Sequence, residues 1–162
     1  MCSSDLQIFR DVSELYFRAR GLAPEDLGWL LWRSALGHRY CEMLELIEAT
    51  CGRPGMPAAI QGFSLASDHQ RGLRAVSVFA NAPMLFGSDA NVRRTLLQLG
   101  RSRNWPSTLY EQATETLQHR NDSFNRQGVI AWILAGKEPV EVRIGLWPYE
   151  PAERNVELTQ FV

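Results

Sequence analysis

Two hydrophobic periods divide this chain, and the switch between them at Cys51-Gly52-Arg53-Pro54 constrains the fold more than any other feature. Before it, apolar residues recur at three- and four-residue steps. After it come short β-branched or continuous apolar runs separated by turn residues. A chain carrying both periods is mixed helix and sheet, and no low-complexity linker or repeat divides it.

Ile8, Val12, Leu15, Tyr16 and Ala19 fall on one helical face, which predicts a first helix over Gln7 to Arg20 with Gly21 as its stop. Pro24 in a first-turn position, followed by Glu25 and Asp26 at the positive end of the helix dipole, predicts a second helix running to Thr50. Gly37 in its middle lowers helix propensity by up to about 1 kcal/mol relative to alanine and marks a kink or a close crossing. Ala58 to Ala66 and Leu73 to Ala80, with Ser67 to Gly72 between them, predict a β-hairpin. Ser88 or Asp89 caps a helix through Leu99, and a fourth helix runs from Pro106 to His119. Gly128 to Ala135 and Val140 to Trp147, joined at Gly136 to Pro139, predict a second hairpin. Val156 to Val162 reads as a short last strand.

The expected architecture is therefore α+β, with an antiparallel sheet of two hairpins covered by the long N-terminal helices and a central helix pair. This helix-helix-hairpin-helix-helix-hairpin order is similar in outline to GAF-like and PAS-like sensory domains and to autoinducer-binding domains. The resemblance to the last extends to Asn81-Ala82-Pro83 with Phe86. It implies a sheet with a ligand cavity beside it.

The chain has 162 residues, an ordinary size for one domain, with 45% hydrophobic content. At that length packing alone supplies stability. Met1 to Leu6 reads as the translated end of a sequencing adapter, so 7–162 is expected to be the native domain, from assembled bacterial DNA, with its N-terminus truncated. Cys41 and Cys51 suit neither a disulfide framework nor a zinc knuckle and read as buried thiols. No apolar run reaches the roughly 18 to 20 residues of a membrane span, so no membrane association and a cytoplasmic location are expected.

Net charge is −1, distributed as −3 before Cys51, +4 from Cys51 to Ile130 and −2 thereafter. All basic residues but Lys137 are arginine, the side chain that forks onto phosphates and carboxylates. Arg93, Arg94, Arg101 and Arg103, with Trp105 beside them and Arg120 and Arg126 further on, form a candidate anion or nucleic-acid site. The near-neutral total argues against a dedicated nucleic-acid domain.

Trp29, Trp32, Tyr40, Phe63, Phe79 and Trp132 are candidates for the wall of an aromatic pocket, the usual small-ligand site of such folds. His38, Glu42 and Glu45, and on the fourth helix Glu111, Glu115 and His119, stand in helical rows. His38, Glu42, Glu115 and His119 are thus candidate metal ligands, although the Glu-x-x-His spacing of bundle di-metal sites is missing. Arg33 with His38 resembles the signature of HEPN-type ribonucleases, whose all-helical fold conflicts with the strand-like second half. Ser67, Asp68 and His69 are too close in sequence to act as a relay, and neither a nucleophile elbow nor a Walker or dinucleotide motif is present.

Three functional expectations follow. The first is a non-enzymatic small-molecule-binding or regulatory domain with an aromatic-lined pocket, without a cofactor. It would take a small apolar or aromatic ligand or a protein partner, and the chain could pair as a homodimer. The second is a nucleic-acid-binding or CRISPR-type accessory protein using the arginine patch. The third is a small metal-dependent enzyme.

Overall fold

A computed structural model describes residues 12–19, 21–68, 72–119 and 126–146. The expected adapter remnant Met1 to Leu6, the last strand Val156 to Val162, Arg120 and Trp147 lie outside them.

The protein is α+β, with a five-stranded antiparallel sheet and several helices. In chain order the strands are β1 (Val12–Arg18), β2 (Ile60–Asp68), β3 (Gly72–Asn81), β4 (Gln127–Ala135) and β5 (Glu141–Leu146), and they neighbour one another in that same order. Helices α1 (Pro24–Arg33) and α2 (Tyr40–Cys51) are inserted between β1 and β2. Helices α3 (Ala82–Phe86), α4 (Asp89–Ser102) and α5 (Thr108–Ala113) are inserted between β3 and β4.

Both predicted hairpins form, within a few residues of their expected ends, because each pairs two β-rich runs across a turn. The first predicted helix does not form where it is described, since Val12–Arg18 is a strand. Its residues pair in unbroken register with β2, as in Tyr16↔Ser64 and Phe17↔Phe63. Leu15, Tyr16 and Phe17 in succession, with Val12, suit a pleated surface, and backbone pairing with β2 outweighs the helical spacing. The described residues accordingly run strand-helix-helix from Val12, in place of the expected helix-helix.

The predicted second helix divides. Asp26 reaches back to accept a hydrogen bond from the Ala23 N–H at 2.9 Å and fixes the start of α1. Ala35 takes a left-handed conformation at φ 57°, a short 3-10 turn spans Gly37–Arg39, and α2 follows. A side chain at Gly37 would stand 3.2 Å from the Trp32 backbone, so the glycine permits the chain to double back closely. The fourth helix is likewise shorter than predicted: α5 ends at Ala113 and a 3-10 turn covers Glu115–Leu117.

One face of the sheet carries the core. Val76, Val78 and Ala80 of β3 stand beside Leu134, Trp132 and Ile130 of β4, all fully buried. Leu27 and Leu31 of α1, Met43 and Ile47 of α2, and Val92 of α4 close over them with no exposure. Trp132 satisfies its indole by donating to Thr50 Oγ1 at 3.1 Å, which ties the sheet centre to α2. No helix among the described residues is long and apolar enough to cross a membrane.

Candidate anion site on helix α4

Helix α4 begins at Ser88, whose hydroxyl accepts from the Asn91 N–H. Asp89 follows, a residue 1% exposed. Its carboxylate accepts from the Arg126 and Gln127 N–H groups at 2.8 and 3.0 Å, and its carbonyl accepts from Gln127 Nε2 at 3.0 Å. These bonds lock the start of α4 to the start of β4. Tyr110 of α5 donates its hydroxyl to Gln127 Oε1, and burial pushes its phenol well above the ordinary range.

With that end fixed, the i, i+3, i+4 and i+7 spacing of α4 turns Ala90, Arg93, Arg94, Leu97, Gln98 and Arg101 toward one surface depression of about 430 Å³. Gln118 closes its far wall. Arg93 donates to Thr114 Oγ1 at 3.1 Å and more weakly to the Glu111 carbonyl at 3.5 Å, both uncharged oxygens. Arg94 donates to Asn91 Oδ1 at 2.6 Å. The Arg101 guanidinium bonds to nothing among the described residues, while its carbonyl accepts from the Asn104 N–H. The neighbouring acids are otherwise engaged: Glu111 accepts from the Ser107 hydroxyl at 2.7 Å, and Asp89 is held by backbone. Three guanidinium groups thus border one depression with no carboxylate partner among the described residues.

A second depression of about 350 Å³ adjoins the first, sharing Gln98, and is lined by Thr50, Cys51, Phe86, Thr95 and Leu99 between α2 and α4. It is more apolar. Burial raises the Cys51 thiol to about 11, partly opposed by Arg53.

The remaining predicted members of the anion site do not join it. Arg103 pairs with Glu45 of α2 at 3.0 Å. Trp105 folds back so that its backbone N–H donates to the Gly100 carbonyl at 2.8 Å, and its side chain packs half-buried against the core. Spacing along α4 contained the signal for Gln98, whereas Gln118 and Thr114 come from a different element and carried none.

The six pocket candidates are dispersed rather than gathered. Trp29 and Trp32 lie on the outer side of α1, 61% and 68% exposed, with the Arg33 guanidinium 5.9 Å from the Trp29 ring. Their three-residue spacing puts them on one helical stripe, but α1 buries Leu27, Leu30 and Leu31 instead. Tyr40 sits against Gly28, and burial raises its phenol. Phe63 stacks on Phe17 on the helix-covered face of the sheet, while Phe79 contacts Tyr16 on the opposite face. Trp132 is core.

The metal candidates are also separated. His38 is exposed in the 3-10 turn. Glu42 is bound by Arg39 through both carboxylate oxygens at 2.7 and 2.8 Å and accepts from the Val140 N–H at 3.3 Å. Arg39 therefore holds the Glu42 carboxyl below its ordinary range, partly opposed by desolvation. Glu115 and His119 are exposed beyond α5. No cluster of three histidine, cysteine or acidic residues suited to a metal ion occurs among the described residues. Neither cysteine fits the reading of both as buried thiols, since Cys41 is exposed and Cys51 only partly buried.

No protein family matches the chain, and comparison with curated proteins and with solved structures likewise finds no match.

Proposed function

We propose that this chain is a non-catalytic accessory or regulatory domain that binds a ligand carrying more than one phosphate group through Arg93, Arg94 and Arg101. The observation that carries this reading is the group of three arginines around one depression without carboxylate neutralisation among the described residues. Guanidinium groups pair with phosphate oxygens through charge-assisted, often two-pronged hydrogen bonds. Arg94 and Arg101 are seven residues apart, about 10 Å along a helix rising 1.5 Å per residue, a span that suits two or three linked anionic groups better than one. The adjoining depression at Phe86, Thr95 and Leu99 adds room for an apolar or aromatic portion, so a nucleotide polyphosphate fits both halves. A GAF-like or PAS-like sensory role resting on a closed aromatic cavity has less support, because the six aromatic candidates stand apart.

Calorimetric titration with inorganic triphosphate, a nucleoside triphosphate and a short single-stranded oligonucleotide tests the reading. Replacing Arg94 and Arg101 together by alanine is expected to weaken binding at least tenfold, the loss of roughly one charge-assisted hydrogen bond. The melting temperature should stay nearly constant, because exposed charges contribute little to stability. Tighter binding of the nucleotide than of triphosphate supports use of both depressions. A steep fall in oligonucleotide affinity with salt, at levels where the nucleotide does not bind, would favour an extended nucleic-acid backbone. Absence of binding to all three, or equal binding by wild type and variant, sinks the proposal.

A further inference from the structure

We infer that the free edge of β1 pairs with the β1 edge of a second copy of this chain, antiparallel and centred on Tyr16, to join two sheets into one. Among the described residues β1 borders only β2 and ends the sheet. The Ala19 N–H donates to the Gln61 carbonyl at 2.9 Å, and the register with β2 runs unbroken from there. Alternation along a strand then turns the backbone groups of Leu15 and Phe17 toward β2, and those of Glu14, Tyr16 and Arg18 toward the open side. Among the described residues these donors and acceptors have no partner strand, on a seven-residue strand without proline, the kind of edge that recruits another strand.

The side chains identify the occupant. About a two-fold axis through Tyr16, each Glu14 lies opposite Arg18 of the second copy, and each Leu15 lies opposite Phe17 of the second copy. The two Tyr16 residues face each other as a hydrogen-bonded pair, which matches the outward direction of their backbone groups. One register therefore satisfies charge, apolar contact and backbone parity together. The apolar residues are those the helices leave uncovered: Leu15 is 61% and Phe17 40% exposed, although both stand on the helix-bearing face. Tyr16, 70% exposed, stands on the other face against Phe79. The Arg18 side chain has no partner among the described residues, and Glu14, exposed on the strand, accepts from the Ser64 hydroxyl at 2.7 Å and from the neighbouring Tyr16 phenol, partners that carry no positive charge.

Sedimentation equilibrium on the full chain should give twice the 18.4 kDa chain mass. Glu14→Arg places like charges opposite each other at two symmetric positions and should weaken the dimer roughly tenfold or more. Glu14→Arg combined with Arg18→Glu should restore it, which a purely structural role for either residue would not do. Register is read separately, in a Cys2→Ser, Cys41→Ser background. Tyr16→Cys brings two α-carbons to about 5.5 Å across a hydrogen-bonded pair, within disulfide reach, and should cross-link on mild oxidation. Leu15→Cys, offset by two residues from its own copy, should not. A chain that stays monomeric into the hundreds of micromolar overturns the inference. So does a dimer indifferent to Glu14→Arg, or equal cross-linking at positions 15 and 16.

Discussion

The centre of the sheet and its β1 flank are built from similar residues and end in opposite states. On the helix-bearing face, Trp132, Val78 and Phe63 run from β4 through β3 to β2 and are covered, Trp132 and Val78 completely. One strand further, Phe17 continues the same row and stacks on Phe63 with ring centroids 4.9 Å apart, yet it is 40% exposed. The helix layer closes over β3 and β4 and stops short of β1. Residue type alone therefore does not decide burial here. The reach of the covering helices does, and the uncovered end of the row is where apolar surface remains for another molecule.

The largest effect should come from the covered end. Trp132→Ala empties the sheet centre and leaves Thr50 Oγ1 without its donor, at a cost of about 3 to 5 kcal/mol. For a chain of this size that lowers the melting temperature by roughly 10 °C or more. Trp32→Ala, at 68% exposure, should change stability by no more than about 0.5 kcal/mol. Comparable losses from both in thermal melts would mean that α1 is covered on its outer side, and the contrast would fail.

The sequence revealed the two hairpins and the break at Cys51-Gly52 because each is a local pattern. Gly52 ends α2 in the left-handed conformation, φ 66°, that its position suggested. It misled at β1, where Val12, Leu15, Tyr16 and Ala19 happen to meet helical spacing. Which period prevails there depends on whether a partner strand is present, and β2 lies more than forty residues away. The same non-locality scattered the aromatic candidates. Trp29 and Trp32 share a stripe, but α1 docks through its leucines, and only the packed structure chooses between the faces. The arginines of α4 were legible because one helix carries them all. Arg103 left the group by pairing with Glu45 across to α2, a contact no spacing along α4 predicts.

A middling effect is expected where the two regions join. A methyl group at Gly62 would lie 2.1 Å from the Phe17 carbonyl oxygen and 2.7 Å from the Phe79 ring. Gly62→Ala must push β1 outward, at about 1 to 3 kcal/mol, and amide exchange should accelerate in β1 before it does in β3 or β4. Uniform acceleration across the sheet would show that β1 and the centre form one cooperative unit.

Smaller again is the clamp at the opposite end, where Arg39 holds Glu42 and donates to the Gly136 carbonyl at 2.8 Å. Because the folded carboxyl sits below its ordinary 4.5, its contribution is present above that value and disappears as pH falls through the folded value. Glu42→Gln should cost at most about 1 kcal/mol near neutral pH. The difference between variant and wild type should vanish in acid. A difference that persists to about pH 1, below both the folded and the unfolded values of a paired carboxylate, would assign it to packing rather than charge.

The smallest stability effect should be at Leu15, and it sharpens the comparison most. Leu15→Thr introduces a β-branched residue suited to a strand and removes apolar surface that is already 61% exposed. Measured at a dilution where the chain is monomeric, it should alter stability by less than about 0.5 kcal/mol. Measured at high concentration, the same variant should associate more weakly, because the leucine loses its contact with Phe17 of the second copy. Stability and association are thereby separated at one position, which no substitution in the covered centre permits. A loss above about 1 kcal/mol in the dilute sample, of the size expected for burial of one or two methyl groups, would show that the flank is covered within the chain itself. The edge would then be closed to a second copy, and the exposed end of the aromatic row would belong to the core after all.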